Sequence, residues 1–511
     1  MQSPALPPGY PGADLKARSA GRWALAIIAI ATLARLGLAA VLPVGVDEAY
    51  SIGIARQFSP SYFDHPPLHL WLVGLWAKLW GSEDLLLLRL PFVALGALSS
   101  WLIYALGARL FGAAAGLWST VIFNLAPVFG LAHGALIFPD GPLLAAALAT
   151  ALVVARLVLV PGTGWRLGWW ALAGLMSGLA LLSKYHGVLL VLGMLLFLLT
   201  TREGRRWLLT PGPWLAAAIA VACFVPVLVW NAQHDWASFA FQIGRGRVGG
   251  GGGVRPLGPI ESLLSQAVYL LPWIAVPLGT FLVRGMLSGP ANARRWLLVC
   301  LALLPILIFT GLTLAGRGLP HWQMPGWLFA VPLLGEALAN AGRITRRIAA
   351  WVAVLTALAL GALATVVTMQ ARWGSFDQQT LQLFGGSDPT DALLSWEAVR
   401  PELARRGLPA DDRTFIGTFN WVRAGELNAL FGTEIPVLCL CSDARHFDYL
   451  NPPEAYAGWT AILIGMPGHI DDDAALGEEF ASLGPLEDIS LSKAGRVAVP
   501  LRMRLGSGFK P

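Results

Sequence analysis

The chain has 511 residues, 56% hydrophobic and only 13% charged, with a formal net charge of +6. A soluble protein of this size carries about a quarter charged residues, so the composition excludes an ordinary soluble enzyme. The sparse positive balance reads as membrane topology and excludes a nucleic-acid-binding patch.

In chain order, residues 1–21 are rich in Pro, Gly and Ala and are expected to form a disordered cytoplasmic N-terminus. The apolar run after Arg22 is longer than a signal-peptide core and is expected to be a retained first helix. Segments such as 23–43, 113–132, 142–160 and 349–369 each approach the roughly 20 apolar residues needed to cross the hydrocarbon, without the polar stripe of a soluble helix. About eleven crossings are expected within 22–370: 23–43, 86–106, 113–132, 140–158, 168–183, 187–200, 213–230, 260–283, 295–315, 324–340 and 347–370. Two long loops interrupt them. The loop at 44–81 holds two pieces that read as amphipathic interfacial helices. The loop at 231–259 includes Gly249–Gly253, which is either a flexible connector or a mobile flap.

Orientation follows from basic residues, because short cytoplasmic loops retain Lys and Arg. With the N-terminus inside, nearly every inner segment carries its own, for example Arg18 and Arg22, Arg109, Arg205 and Arg206, Arg284 and Arg295, and Arg343 and Arg347. An odd number of crossings then places 371–511 outside, in the periplasm if the membrane is a bacterial inner membrane. Composition shifts there, since 19 of the 30 Asp and Glu residues follow Ala371. Runs at 413–418, 436–440 and 461–465 read as short buried strands, alternating with helical stretches around 391–406, 421–431 and 472–483. That pattern predicts a small α/β domain. Cys223 and Cys300 fall in apolar spans and read as packing residues. Cys439 and Cys441 lie in the outer domain, but a bridge between residues two apart on one strand would be strained and is not expected.

The membrane region holds few acids, so their positions carry information. Asp47 and Glu48 follow the first helix. Asp64 and His65 sit in YFDHPPLHLW, Arg89 in LRLP, Asp140 in FPDGP, Lys184, Tyr185 and His186 in LLSKYHG, His234 and Asp235 in WNAQHDW, and His321 in GLPHWQMP. Under the topology above all lie at the outer face. A single charge at a helix end can simply anchor or cap it, and Asp140 beside Pro142 could do only that. A whole set at one face is a functional-site signature, because ionisable groups at membrane level are costly. Lys184, Arg89 and His65 suit a phosphate. Asp47, Glu48, Asp64 and Asp140 suit proton acceptance, hydroxyl orientation or a divalent ion. An anion site beside carboxylates at the outer leaflet fits a sugar carried on a polyprenyl phosphate.

The DEAY motif after the first helix, YFDHPPLHLW, RLP, PDGP and SKY together resemble the bacterial branch of the protein O-mannosyltransferase family. That branch includes the lipid A aminoarabinose and galacturonic acid transferases of the GT-C fold. The resemblance runs in order and spacing from Arg22 to Asn340. It implies a polytopic α-helical membrane glycosyltransferase with a small C-terminal α/β periplasmic domain. By the same resemblance Asp47 is the base or acceptor-orienting group, Glu48 supports it, and Asp140 is a second essential acid. Lys184 and Arg89 hold the donor phosphate, joined by His65, with Asp64, Tyr185 and His321 completing the substrate-binding set. His65 stands where aminoarabinose transferases have Lys, and Ser51 where a second Tyr is common, so the sugar is not fixed. The implied chemistry is inverting displacement onto a lipid, glycan or protein acceptor. A divalent metal at Asp47 and Asp140 is an open expectation. The rival readings are a transporter or flippase, which would favour midplane charges and internal repeats, a non-catalytic scaffold of the same fold, and a transferase using a pyrophosphate-linked donor.

Overall fold

A computed structural model describes residues 11–159, 166–245, 254–316, 318–383, 385–386 and 388–511. The Gly249–Gly253 run lies outside the described residues. The chain divides into two compact units. The first comprises Met1–Gly37 (described from Pro11), Pro60–His69 and Arg89–Leu360, and the second Leu38–Ser59, Leu70–Leu88 and Gly361–Pro511.

The membrane region begins with α1 (Pro11–Val41), α2 (Val46–Ala55), α3 (Leu68–Trp80), α4 (Leu85–Phe111) and α5 (Ala113–Leu125). A π-helical turn (Val128–Ala132), α6 (His133–Ala135), α7 (Asp140–Leu159), α8 (Arg166–Ser183), α9 (Gly187–Thr200) and α10 (Arg202–Leu208) follow. The remainder is α11 (Pro211–Gln233), α12 (Ala237–Arg245), α13 (Gly258–Leu270), α14 (Pro272–Ser288), α15 (Ala293–Leu312), α16 (Met324–Ala339) and α17 (Arg343–Trp373). Helix α1 starts at Pro11, inside the stretch expected to be disordered. Pro suits a first helical turn, and the Ala, Leu, Lys and Arg residues that follow favour helix.

Among the described residues, six helices are long and apolar enough to cross a membrane, or up to nine if each bent pair is one span. The expected count of eleven exceeds this. Each expected span does coincide with a helix or a bent pair, but α16 has only 16 residues. The pairs 113–125 with 128–135, 187–200 with 202–208 and 258–270 with 272–288 bend by 83°, 105° and 116°. Apolar runs do not reveal such bends. Helix α7 is the pillar of the bundle: 78% of its apolar window is buried, against 6% for α17 at the periphery. Helices α8 and α11 approach closely because Gly174 and Gly178 face Ala216 and Cys223, with Cβ positions only 2.5 and 2.6 Å from neighbouring atoms. Small residues permit this contact where lipid supplies no hydrophobic drive.

In the second unit the C-terminal segment forms α18 (Gln378–Gln382), α19 (Val399–Arg405), β1 (Thr414–Thr418), α20 (Trp421–Phe431), β2 (Val437–Cys439), α21 (Phe447–Leu450) and β3 (Thr460–Gly465). It ends with α22 (Asp473–Glu479), β4 (Phe480–Leu483), β5 (Glu487–Asp488), β6 (Leu491–Lys493), β7 (Arg496–Val499) and β8 (Arg502–Phe509). A six-stranded sheet has the order β2-β1-β3-β8-β4, with β5 also on β8. Strands β1, β2 and β3 are parallel and β8 is antiparallel to β3. The parallel strands are short and almost wholly buried, as expected where both faces are covered. Phe415, Leu463, Ile470, Phe480 and Phe509 form the core of this sheet.

Helix α2 and most of α3, from Leu70 on, belong to this unit, and α2 lies against α20. Gly425 admits the Tyr50 backbone, 3.1 Å from where a Cβ would stand. The Tyr50 ring meets Trp421 and Phe447 edge-on at 5.6 and 5.7 Å. Arg56 donates to the Ala429 carbonyl at 2.9 Å and pairs with Glu83 at 2.7 Å. A buried ion cluster ties the β6–β7 hairpin to the end of α17. Lys493 Nζ lies 2.7 Å from Asp388, which also accepts from Gln370 Nε2 at 2.6 Å. Cys439 and Cys441 form a disulfide, contrary to expectation. Strand β2 ends at Cys439 and the chain bends, bringing the Cα atoms to 5.4 Å, within the usual range for a bridge.

Candidate active site

In the first unit, chain breaks and helix ends converge on one buried ion pair. Asp140 opens α7, where the helix dipole favours a carboxylate. Lys184 occupies the break between α8 and α9. That turn is tight because Gly187 has no side chain: a Cβ would come within 2.6 Å of the Ala180 backbone. Lys184 Nζ donates to both carboxylate oxygens of Asp140, at 3.0 and 2.9 Å. Both side chains are only 6% exposed.

Imidazoles surround the pair. The π-helical turn after α5 delivers His133, whose Nε2 lies 4.0 Å from Asp140 Oδ1. His321 also acts electrostatically on Asp140. His186 stacks on Phe309 at 4.5 Å and feels Lys184, Asp140, His321 and His65. His69 meets His65 edge-on at 5.6 Å and interacts with Asp64, Asp140 and Lys184. Among the described residues, His69 Nδ1, His133 Nδ1 and His186 Nε2 are buried with no hydrogen-bond partner. Such nitrogens are costly to bury and suit a polar ligand. The Phe309 ring continues to Trp322 at 5.7 Å, the neighbour of His321.

The set expected from the sequence is therefore gathered in part. Asp64, His65, Asp140, Lys184, Tyr185 and His321 share this neighbourhood. Asp64 is buried and its carbonyl accepts from Gln242 Nε2. The Tyr185 hydroxyl lies 2.5 Å from Ser238 Oγ. Arg89 is fully buried at the start of α4. Asp47 and Glu48 belong to the other unit, in the first turn of α2. Asp47 is exposed, and Glu48 is buried and accepts from the Gly45 N–H at 3.2 Å, closing the helix start. His234 stacks on Trp230 at 4.2 Å, with Asp235 and Trp236 exposed beside it. His69 and His133 escaped the sequence reading. His69 sits four residues after His65, which was a usable signal, whereas His133 in an apolar run reads as core.

Arg35 was also missed. It is fully buried in α1 and donates to the Gly130 carbonyl at 2.8 Å and to Asn124 Oδ1 at 2.6 Å. These bonds brace the π-helical turn that carries the chain to His133. Among the described residues, no group of three or more His, Cys, Asp or Glu side chains is arranged to hold a metal. Both oxygens of Asp140 are already held by Lys184. The residues present do not fit a metal at Asp140.

Residues 64–230 match the family model described as dolichyl-phosphate-mannose-protein mannosyltransferase. The lipid A galacturonosyltransferase RgtD of Rhizobium johnstonii is 23% identical over 304 residues, 55% of this chain and 58% of that protein. The alignment thus spans less than two thirds of this curated relative. The crystal structure of ArnT from Cupriavidus metallidurans bound to undecaprenyl phosphate superposes with a TM-score of 0.65 at 17% identity, covering 94% of this chain and 98% of that one. The apo form of the same protein gives 0.64, over 95% and 98%. These structures share the fold. The chain thus shares the fold of ArnT over nearly its whole length, and residues 64–230 resemble the protein O-mannosyltransferase family.

Proposed function

We propose that the protein transfers a sugar from a polyprenyl-phosphate donor to a lipid, glycan or protein acceptor at the periplasmic face of the inner membrane, by a single inverting displacement. The observation that carries this reading is the buried Lys184–Asp140 pair amid imidazoles with unpartnered ring nitrogens. A lysine held by a carboxylate in the free protein is a cation kept ready for an incoming phosphate. The ArnT structure with bound undecaprenyl phosphate supports the donor class. The family match favours a transferase over a transporter or flippase.

In the proposed reaction an acceptor hydroxyl attacks the anomeric carbon as the bond to the phosphate oxygen breaks. The hydroxyl proton passes to the base, and the polyprenyl phosphate departs with the bonding pair. Lys184 stabilises the charge growing on that phosphate, assisted by Arg89 and His65, the largest electrostatic contribution at a site of this kind. Asp140 positions Lys184 in the resting protein. The assignment of Asp47 as base and Glu48 as its support rests on the sequence resemblance. No step runs through a metal. Incubating the purified protein with a panel of short-chain polyprenyl-phosphate sugars and an envelope extract tests the reading. Release of polyprenyl phosphate, with inverted anomeric configuration in the product, is expected for one donor. No release with any donor would refute it.

A further inference from the structure

A cavity with a largely apolar wall and a few charged groups opens at the far end of the same unit. The C-terminal end of α14, the start of α15 and the C-terminal end of α16 converge on a space of about 210 Å³. A single buried water needs only ~10–15 Å³ on the same measure, so the space is large enough for a multi-atom group. Helix α16 has 16 residues, about 24 Å at 1.5 Å per residue. The cavity lies at its C-terminal end, whereas His321 precedes its N-terminus, so this is a separate site.

Its wall is built from a fixed ion pair and a guanidinium without an acidic partner. Arg295 donates to Glu336 through two bonds, at 2.9 and 2.8 Å. Arg284 is exposed over the Phe281 ring, 4.9 Å from its centroid, with no ion pair among the described residues. Asn340 adds an amide, and Leu333 closes the apolar side. Two arginines against one glutamate leave the lining with one net positive charge, matching the single negative charge of a phosphodiester. Beside the opening, α14 exposes Val283 and Leu287, an apolar exterior suited to acyl chains. Basic pockets between transmembrane helices at a cytoplasmic end bind lipid head groups in this way.

We propose that this cavity binds the phosphodiester head group of an anionic phospholipid, with Arg284 as the principal contact. The proposal rests on the membrane-spanning reading and is independent of the transferase reading. Native mass spectrometry of the full-length protein in detergent tests it, using dioleoyl phosphatidylglycerol, dioleoyl phosphatidylcholine and inorganic phosphate as separate probes. Wild-type protein is expected to retain one phosphatidylglycerol with about tenfold preference over phosphatidylcholine. Arg284→Glu and Arg284→Ala are expected to lose that preference. Arg343→Glu, an exposed arginine outside the cavity lining, is expected to keep it. Equal retention of both lipids, or an unchanged preference in the Arg284 variants, would overturn the proposal. So would equal loss in Arg343→Glu, which would indicate bulk charge alone, or inorganic phosphate binding as tightly as the lipid.

Discussion

Lys184 Nζ reaches both carboxylate oxygens of Asp140, at 3.0 and 2.9 Å, although the two residues lie at the ends of different helices, 44 positions apart. Taking two opposite charges out of water costs several kcal/mol per ion, and mutual attraction only roughly repays it. A pair held at that expense, beside unpartnered imidazole nitrogens, is better explained by ligand binding than by stability.

That argument separates stability from activity. Lys184→Ala leaves a buried carboxylate without its partner and is expected to cost about 3–5 kcal/mol. The double variant Asp140→Asn with Lys184→Met removes both charges and is expected to regain most of the wild-type thermal midpoint in detergent. It should remain inactive in the donor-release assay. Recovery of activity along with stability would show that the pair is only structural.

Glu426 in α20 gives a pH dependence of known sign. Burial raises its carboxyl to about 7 from the ordinary 4.5, only partly offset by the Arg423 charge and hydrogen bond and by Trp396. The folded state therefore retains a proton that the unfolded chain releases. The resulting penalty is absent below about pH 4.5, grows between 4.5 and 7, and is complete above 7. Its full size is roughly 3 kcal/mol. Glu426→Gln should thus be more stable than wild type at pH 8 and nearly equal to it at pH 4.5, measured by denaturant midpoints. An equal difference at both pH values would contradict the account.

The contact of α2 with α20 depends on a missing side chain. A Cβ on Gly425 would stand 3.1 Å from the Tyr50 backbone, which cannot swing aside. Gly425→Ala is expected to destabilise the second unit by about 1–3 kcal/mol. Gly477, in α22, has nothing within 4 Å of its Cβ position and should accept Ala without loss. Limited proteolysis of the two variants at one temperature compares them directly.

The Cys439–Cys441 bridge reports on compartment as well as fold. Disulfides persist in the periplasm and are rare in the cytosol. Alkylation of intact cells before lysis should leave both cysteines unlabelled unless a reductant is added. A freely labelled pair in unreduced cells would argue against an outer location for the C-terminal domain.

Much of this architecture was legible in the sequence, for identifiable reasons. Apolar runs revealed the helices because a bilayer demands uninterrupted apolar length. Buried parallel strands revealed β1, β2 and β3 because they are short runs dominated by apolar residues. Strand β8 escaped because it holds only three large apolar residues, Met503, Leu505 and Phe509, among arginines and glycines, although it pairs with β3 and β4. The helix bends escaped because hydropathy averages over them, and with the bends went His133 and the Arg35 brace. The motifs around Asp140 and Lys184 located one half of the site. Their pairing depends on two helix ends meeting in space, which no local pattern encodes.

The central claim is that Lys184 receives the donor phosphate, and polyprenyl-phosphate release from a short-chain sugar donor tests it most directly. Wild-type protein should release it. Lys184→Ala should lose at least about a hundredfold, the scale of removing one preorganised charge contact, at a temperature where its fold is intact. Lys184→Arg should retain part of the rate. Release by a folded Lys184→Ala variant at the wild-type rate would contradict the account.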